Sequence, residues 1–121
     1  MSIVKFEEIQ SWQEARGLVK EICLKFVECR DIGFRGQIQR AGISIMSNIA
    51  KGFERNSNKE FINFLFIARG SCAEVKSLLY SALDIGYIDE NFFKCMFGRV
   101  NKIAGLLNGF ISHLKAINKK K

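Results

Sequence analysis

The sequence predicts an all-α fold, an antiparallel up-down-up-down four-helix bundle. Three observations predict it. Proline is absent from all 121 residues, and proline costs about 3 kcal/mol inside a helix. Four segments repeat apolar residues at alternating steps of three and four, the spacing of one helix face. The breaks between them are short, which makes consecutive helices antiparallel neighbours. No β-alternation, low-complexity stretch or second domain interrupts the pattern, so residues 1–121 read as a single domain.

Helix 1 is expected over about residues 11–30. Trp12, Ala15, Val19, Ile22, Phe26 and Cys29 form its stripe. Ser11 followed by Glu14 has the S-x-x-E spacing of a capping box, which satisfies donors at a helix start. Asp31-Ile32-Gly33 then reads as a short break.

Helix 2 is expected over about 35–54, with Ile38, Ala41, Ile45, Asn48 and Gly52 on its stripe. Its small residues, Ala41, Gly42, Ser44, Ser47 and Ala50, suit close approach of another helix. Asn48 falls among apolar positions. A buried hydrogen bond that fixes register is the expected role, with a catalytic role as the alternative.

Helix 3 is expected over 57–85, with Ser57 and Glu60 as a second capping box. Phe61, Leu65, Ala68, Cys72, Val75, Leu79 and Ala82 give an unbroken stripe. Between Phe61 and Ala68 only Asn63 is polar, so this helix is covered on more than one side. In a small bundle that predicts a subunit interface. Gly86 is a natural left-handed cap.

Helix 4 is expected over 89–117, with Asp89 as its cap and a basic tail at 118–121. Phe93, Met96, Val100, Ile103, Leu107, Phe110, Leu114 and Ile117 form its stripe. The eleven phenylalanines, at helical spacing, read as core and not as base-stacking platforms.

The formal net charge is +7, and it is unevenly placed. Residues 1–90 hold 12 Lys/Arg and 12 Asp/Glu, whereas 91–121 hold 7 Lys/Arg and no acid. Such asymmetry points to an anionic partner, RNA or DNA or an acidic protein. The alternative is a solubilising tail at Lys119–Lys121. Lys94, Arg99, Lys102 and Lys115 on helix 4 are the candidate phosphate contacts. Arg55 and Lys59 sit near the start of helix 3, where a helix N-terminus attracts anions, and are secondary candidates. A plain solvated joint is the alternative there.

Catalytic motifs are lacking. The sole histidine, His113, reads as capping carbonyls or facing solvent late in helix 4, with a catalytic base as the alternative, and no serine or cysteine has a sequence-identifiable partner. Lys51 precedes Gly52 on a helix, the wrong order and context for a phosphate loop. No Glu-x-x-His pair supports a di-iron site. Cys23, Cys29, Cys72 and Cys95 form no C-x-x-C pair, so no metal site or cofactor is expected and buried free thiols are. No secretory signal is visible, and the longest apolar run, Phe64 to Ala68, is too short to span a bilayer. A soluble cytoplasmic protein is expected.

The run Gln37-Ile38-x-Arg40-Ala41-x-x-Ser44-Ile45-x-x-Asn48-Ile49-Ala50-x-Gly52-x-x-Arg55 continues into Ser57-x-x-Glu60-Phe61-x-x-Phe64-Leu65-x-Ile67-Ala68-x-Gly70-Ser71-x-x-Glu74. Together these resemble the bacterial four-helix-bundle family encoded by intervening sequences in 23S ribosomal RNA genes. The accessory proteins of diversity-generating retroelements are similar in fold. Trp12, Ala15 and Gly86-Tyr87 extend the resemblance over nearly the whole chain. It implies a ring-like homopentamer without enzymatic activity. The retroelement relatives imply a basic surface that engages nucleic acid and a reverse transcriptase. The chain departs from the family pattern at Met46, where proline is common and a kink is therefore not expected. It also departs at Lys51, usually glutamate, and at Gly42, usually alanine. A protein-binding or structural assembly module is the rival function.

Overall fold

A computed structural model of the chain describes residues 3–119, with side chains through Ile117. A 3-10 turn at Phe6–Glu8 leads into α1 (Gln10–Lys25), α2 (Ile32–Phe53), α3 (Asn58–Ile85) and α4 (Glu90–Lys119). Each helix packs on the next, and α4 closes on α1. The cross-helix contacts run in opposite numerical order, as antiparallel packing requires. Ser44 meets Ser71 while Gly52 meets Phe61. Glu14 meets Lys102 while Glu21 meets Arg99. The fold is the expected four-helix bundle.

The core is one cluster fed by all four helices, including Leu18 and Ile22, Ile45 and Ile49, Leu65 and Leu79, and Ile103 and Leu107. Each such side chain contributes about 1.5–3 kcal/mol on burial. Gly52 permits a close approach of α2 to α3. A Cβ there would lie 2.7 Å from Phe64 Cβ and 2.8 Å from the Phe61 ring.

The start of α1 corrects the predicted Ser11–Glu14 box. The helix begins one residue earlier, with Ile9 as an N-cap that makes no side-chain bond. Ser11 is instead buried at 2% exposure with its hydroxyl unpartnered, and Glu14 reaches across to Lys102. The reason lies upstream. The Glu8 carboxylate accepts the Val4 and Lys5 N–H groups at 2.9 Å each, ordering the 3-10 turn that delivers Ile9 into the core. These two bonds hold the Glu8 carboxyl below its ordinary pKa, Lys5 N–H first.

The predicted break at Asp31–Gly33 is also corrected. Helix α1 ends at Lys25, not Arg30, and Asp31 is the N-cap of α2, accepting from Phe34 N–H at 3.0 Å. Arg35 turns back to donate to the carbonyls of Val27 at 3.0 Å and Cys29 at 3.4 Å, so the reversal is closed by its own side chains. Helix α2 runs unbroken through Met46.

At α3 the Ser57 hydroxyl accepts from Glu60 N–H at 3.2 Å. Gly86 closes the helix at φ 91°, the left-handed conformation that glycine adopts without strain. Asp89 Oδ1 accepts from Phe92 N–H at 2.8 Å at the start of α4. That helix runs to Lys119, so the first two residues of the predicted basic tail continue it; Lys120 and Lys121 lie outside the described residues.

Candidate functional site

The candidate cations separate into two seams. On the α1–α4 seam, Arg99 Nη1 meets Glu21 Oε2 at 2.9 Å and Lys102 Nζ meets Glu14 Oε2 at 3.5 Å. Arg99 lies over Gly17, where a Cβ would come within 2.5 Å of its guanidinium. Two of the four helix 4 candidates are therefore each matched by a carboxylate. Among the described residues these are the only ion pairs.

The outer α3–α4 seam is different. Arg69 Nη1 donates to Asn108 Oδ1 at 2.9 Å, and Lys76 Nζ donates to Asn101 Oδ1 at 3.1 Å. Arg69 Cζ and Lys115 Nζ stand 4.7 and 5.0 Å from the Phe66 ring centre. Lys76 Nζ likewise stands 5.4 Å from the Phe97 ring centre. Amides and rings fix these cations without cancelling their charge. Lys94 is exposed on the same outward stripe of α4, which continues through Asn101, Asn108 and Lys115.

Why the seam folds this way is local. Arg69 and Lys76 are seven residues apart, two helical turns, and so share a face with Phe66 and Tyr80. Asn101 and Asn108 repeat at the same interval on α4. Sequence reading missed Arg69 and Lys76. A usable signal was present, since neither has an acid three or four residues away on its own helix.

The α2–α3 joint holds the secondary candidates. Arg55 is exposed, with its guanidinium 4.7 Å from the Phe64 ring centre. It edges a shallow cleft of about 400 Å³ with Phe6, Lys51 and Glu54. Lys59 is exposed. The first turn of α3 already carries Glu60, hydrogen-bonded to Ser57, so a carboxylate stands where an incoming anion would bind.

Asn48 is 7% exposed and donates to the Ser44 carbonyl at 2.8 Å and its hydroxyl at 3.0 Å. Ser44 Oγ in turn meets Ser71 Oγ at 2.8 Å on α3. Asn48 thus acts across the interface through Ser44. His113 is exposed and edges a cleft of about 250 Å³ beside Ser11 and Phe110.

The cysteines depart from the expectation of burial. Only Cys72 is buried, and that burial pushes its thiol up to about 11 against the opposing pull of Lys76. Cys95 is exposed, and Cys23 and Cys29 are half-buried. Among the described residues no group of three or more His, Cys, Asp or Glu could hold a metal ion. No described helix is long and apolar enough to cross a membrane. Of the phenylalanines Phe26 and Phe61 are buried, seven more pack half-buried against the core, and none is exposed.

A family model described as 23S rRNA-intervening sequence protein matches residues 7–109. Among solved structures, the chain is similar to a protein of unknown function of the S23 ribosomal protein family from Bacteroides thetaiotaomicron. The two share 24% identity over 84% of this chain and 95% of that one, with a TM-score of 0.77. Among curated proteins none matches.

Proposed function

Because the chain belongs to the 23S rRNA-intervening sequence protein family, we propose that it is a non-enzymatic, oligomeric helical bundle that binds nucleic acid through a basic surface. One observation carries the reading. Arg69, Lys76 and Lys115 are held by neutral groups, whereas Arg99 and Lys102 face carboxylates. The surface presented to a polyanion is therefore the α3–α4 seam with Lys94, and Arg99 and Lys102 serve α1–α4 packing. Phosphate contacts would dominate, with little sequence preference and a steep dependence on salt.

A homo-oligomer, a pentamer on the family resemblance, would repeat the seam and multiply weak contacts. Ile43 and Ile67, 46% and 52% exposed on the outward surfaces of α2 and α3, support such assembly. A nucleic-acid enzyme such as a reverse transcriptase is a partner compatible with the same surface, and the cytoplasm is the expected compartment.

The test is binding of labelled RNA and DNA at two salt concentrations, with solution mass measured in parallel. Binding that falls with a log–log slope of about −0.7 per contacted phosphate supports the reading. An oligomer that retains neither nucleic acid at low salt overturns it. The exposed Ile43 and Ile67 then favour the second reading, a protein-binding assembly module.

A further inference from the structure

We infer that the α3–α4 seam takes a single-stranded nucleic acid, with phosphates along its cations and an unpaired base stacked on Tyr80. This rests on the nucleic-acid reading above and narrows it.

The first support is the line of charge. The pairs Arg69–Asn108 and Lys76–Asn101 set the register of the two helices. In that register Lys115 falls one heptad beyond Arg69 and Lys94 one heptad beyond Lys76, on the opposite side. The backbone positions of the four cations thus fall along the bundle axis at intervals of about 10.5 Å, two helical turns each. Lys115 leans inward from its place toward Phe66. A straight row of charges suits a linear polyanion better than a compact one. Two acids have helical positions that reach this row, both at its Lys94 end: Asp84, one turn beyond Tyr80, and Glu90, one turn before Lys94.

The second support is the aromatic cluster at the Lys76 end. Tyr80 is 52% exposed. Its ring rests 4.9 Å from Phe93 and 5.5 Å from Phe97, and those two rings lie 5.2 Å apart. The ring is braced from beneath, open to solvent and next to Lys76. An aromatic face beside a backbone-tracking cation is the arrangement by which single strands are held without sequence preference.

The third support is what the shape excludes. A major groove admits one helix. The seam is two packed helices wide, α3 beside α4, so two helices would have to enter together. A duplex could touch this surface only along its phosphate ridge, and its stacked bases could not reach Tyr80.

The experiment measures fluorescence anisotropy of the full chain with three probes: a labelled oligouridine of about sixteen nucleotides, a blunt-ended RNA duplex, and polyglutamate as competitor. Tyr80→Ala should weaken the single strand by at least about fivefold and leave the duplex unchanged, and Tyr80→Phe should restore binding. Arg69→Gln with Lys76→Gln should lower the salt slope by about 1.4, and Asp84→Asn should tighten binding. Circular dichroism of each variant checks that the helices remain. Equal effects of Tyr80→Ala on strand and duplex, or none on either, overturn the single-strand inference and leave the proposed function standing. Loss of binding in Arg99→Gln with Lys102→Gln but not in the α3 variants overturns the seam. Wild-type chain that binds neither nucleic acid overturns both readings. Displacement by polyglutamate as effective as by unlabelled RNA assigns the seam to an acidic protein instead.

Discussion

The Tyr87 hydroxyl donates to Asp31 Oδ2 at 2.7 Å and so joins the α1–α2 turn to the α3–α4 turn. Asp31 is also the N-cap of α2, and Phe34, in the first turn of that helix, meets the Tyr87 ring edge-on at 5.3 Å. One carboxylate therefore serves a helix start and a tertiary tie together.

This tie predicts a pH signature. The Tyr87 hydroxyl, and then the Phe34 N–H, hold the Asp31 carboxyl below its ordinary value. Its folded pKa is depressed, so its contribution to stability is present above the unfolded value of about 3.9. It is lost as pH falls through the folded value. The Tyr87 phenol is raised, first by its bond to Asp31. Its contribution is present below the unfolded value of about 10 and is lost as pH rises through the folded one. Tyr87→Phe should lower Tm at neutral pH, and the gap to wild type should narrow toward both extremes. Thermal melts across pH check this, and a gap independent of pH would contradict it.

Two glycines should respond to alanine with opposite signs. At Gly52 the new Cβ meets the Phe64 Cβ and the Phe61 ring inside 3.0 Å, and overpacking of this kind costs about 1–3 kcal/mol. The helix-propensity gain of about 1 kcal/mol offsets only part of that. At Gly105 an added Cβ meets nothing within 4 Å beyond its own stretch of helix, so Gly105→Ala should stabilise by about 0.5–1 kcal/mol. Urea unfolding of both variants reads the difference.

Ser11→Ala should stabilise the chain by about 1 kcal/mol or more. The hydroxyl is buried without a partner, and leaving such a group unsatisfied costs about 1–3 kcal/mol. If Ser11 capped α1, the same change would destabilise instead. The sign of the change in unfolding midpoint separates the two roles.

Thiol labelling should follow burial. Cys95 should react first, and Cys23 and Cys29 more slowly. Cys72, buried and with its thiol near 11, should react only on unfolding. Quantifying modified thiols in native buffer and in denaturant checks the order. Native labelling of Cys72 at the rate of Cys95 would contradict the packing of α3.

The four helices were legible because their stripes are long and periodic, and Ile103, Leu107 and Leu114 are core as that spacing requires. Helix ends were less so. Ser11-x-x-Glu14 has the spacing of a cap, but the competing bonds of Glu8, outside that window, decide where α1 begins. Asp31 looked like a break because the residues after it, Ile32 and Gly33, are modest helix formers. Its carboxylate on Phe34 N–H makes them a first turn.

Charge was legible in amount and not in place. Arg99 and Lys102 look free along α4, and their partners, Glu21 and Glu14, are recognisable only once α1 is packed alongside. Arg69 and Lys76 sit in a region of zero net charge. Only the fold sets them beside amides and rings rather than acids.

The seven-residue repeat of the seam also bears on how α3 and α4 find their alignment. A slide of one heptad in one direction would bring Lys76 opposite Lys94. A slide in the other would bring Arg69 opposite Lys115. Both displaced alignments oppose like charges, while the native one gives each α3 cation an amide. The row of cations therefore acts as a vernier for chain assembly, penalising the nearest mispaired bundles before any partner arrives.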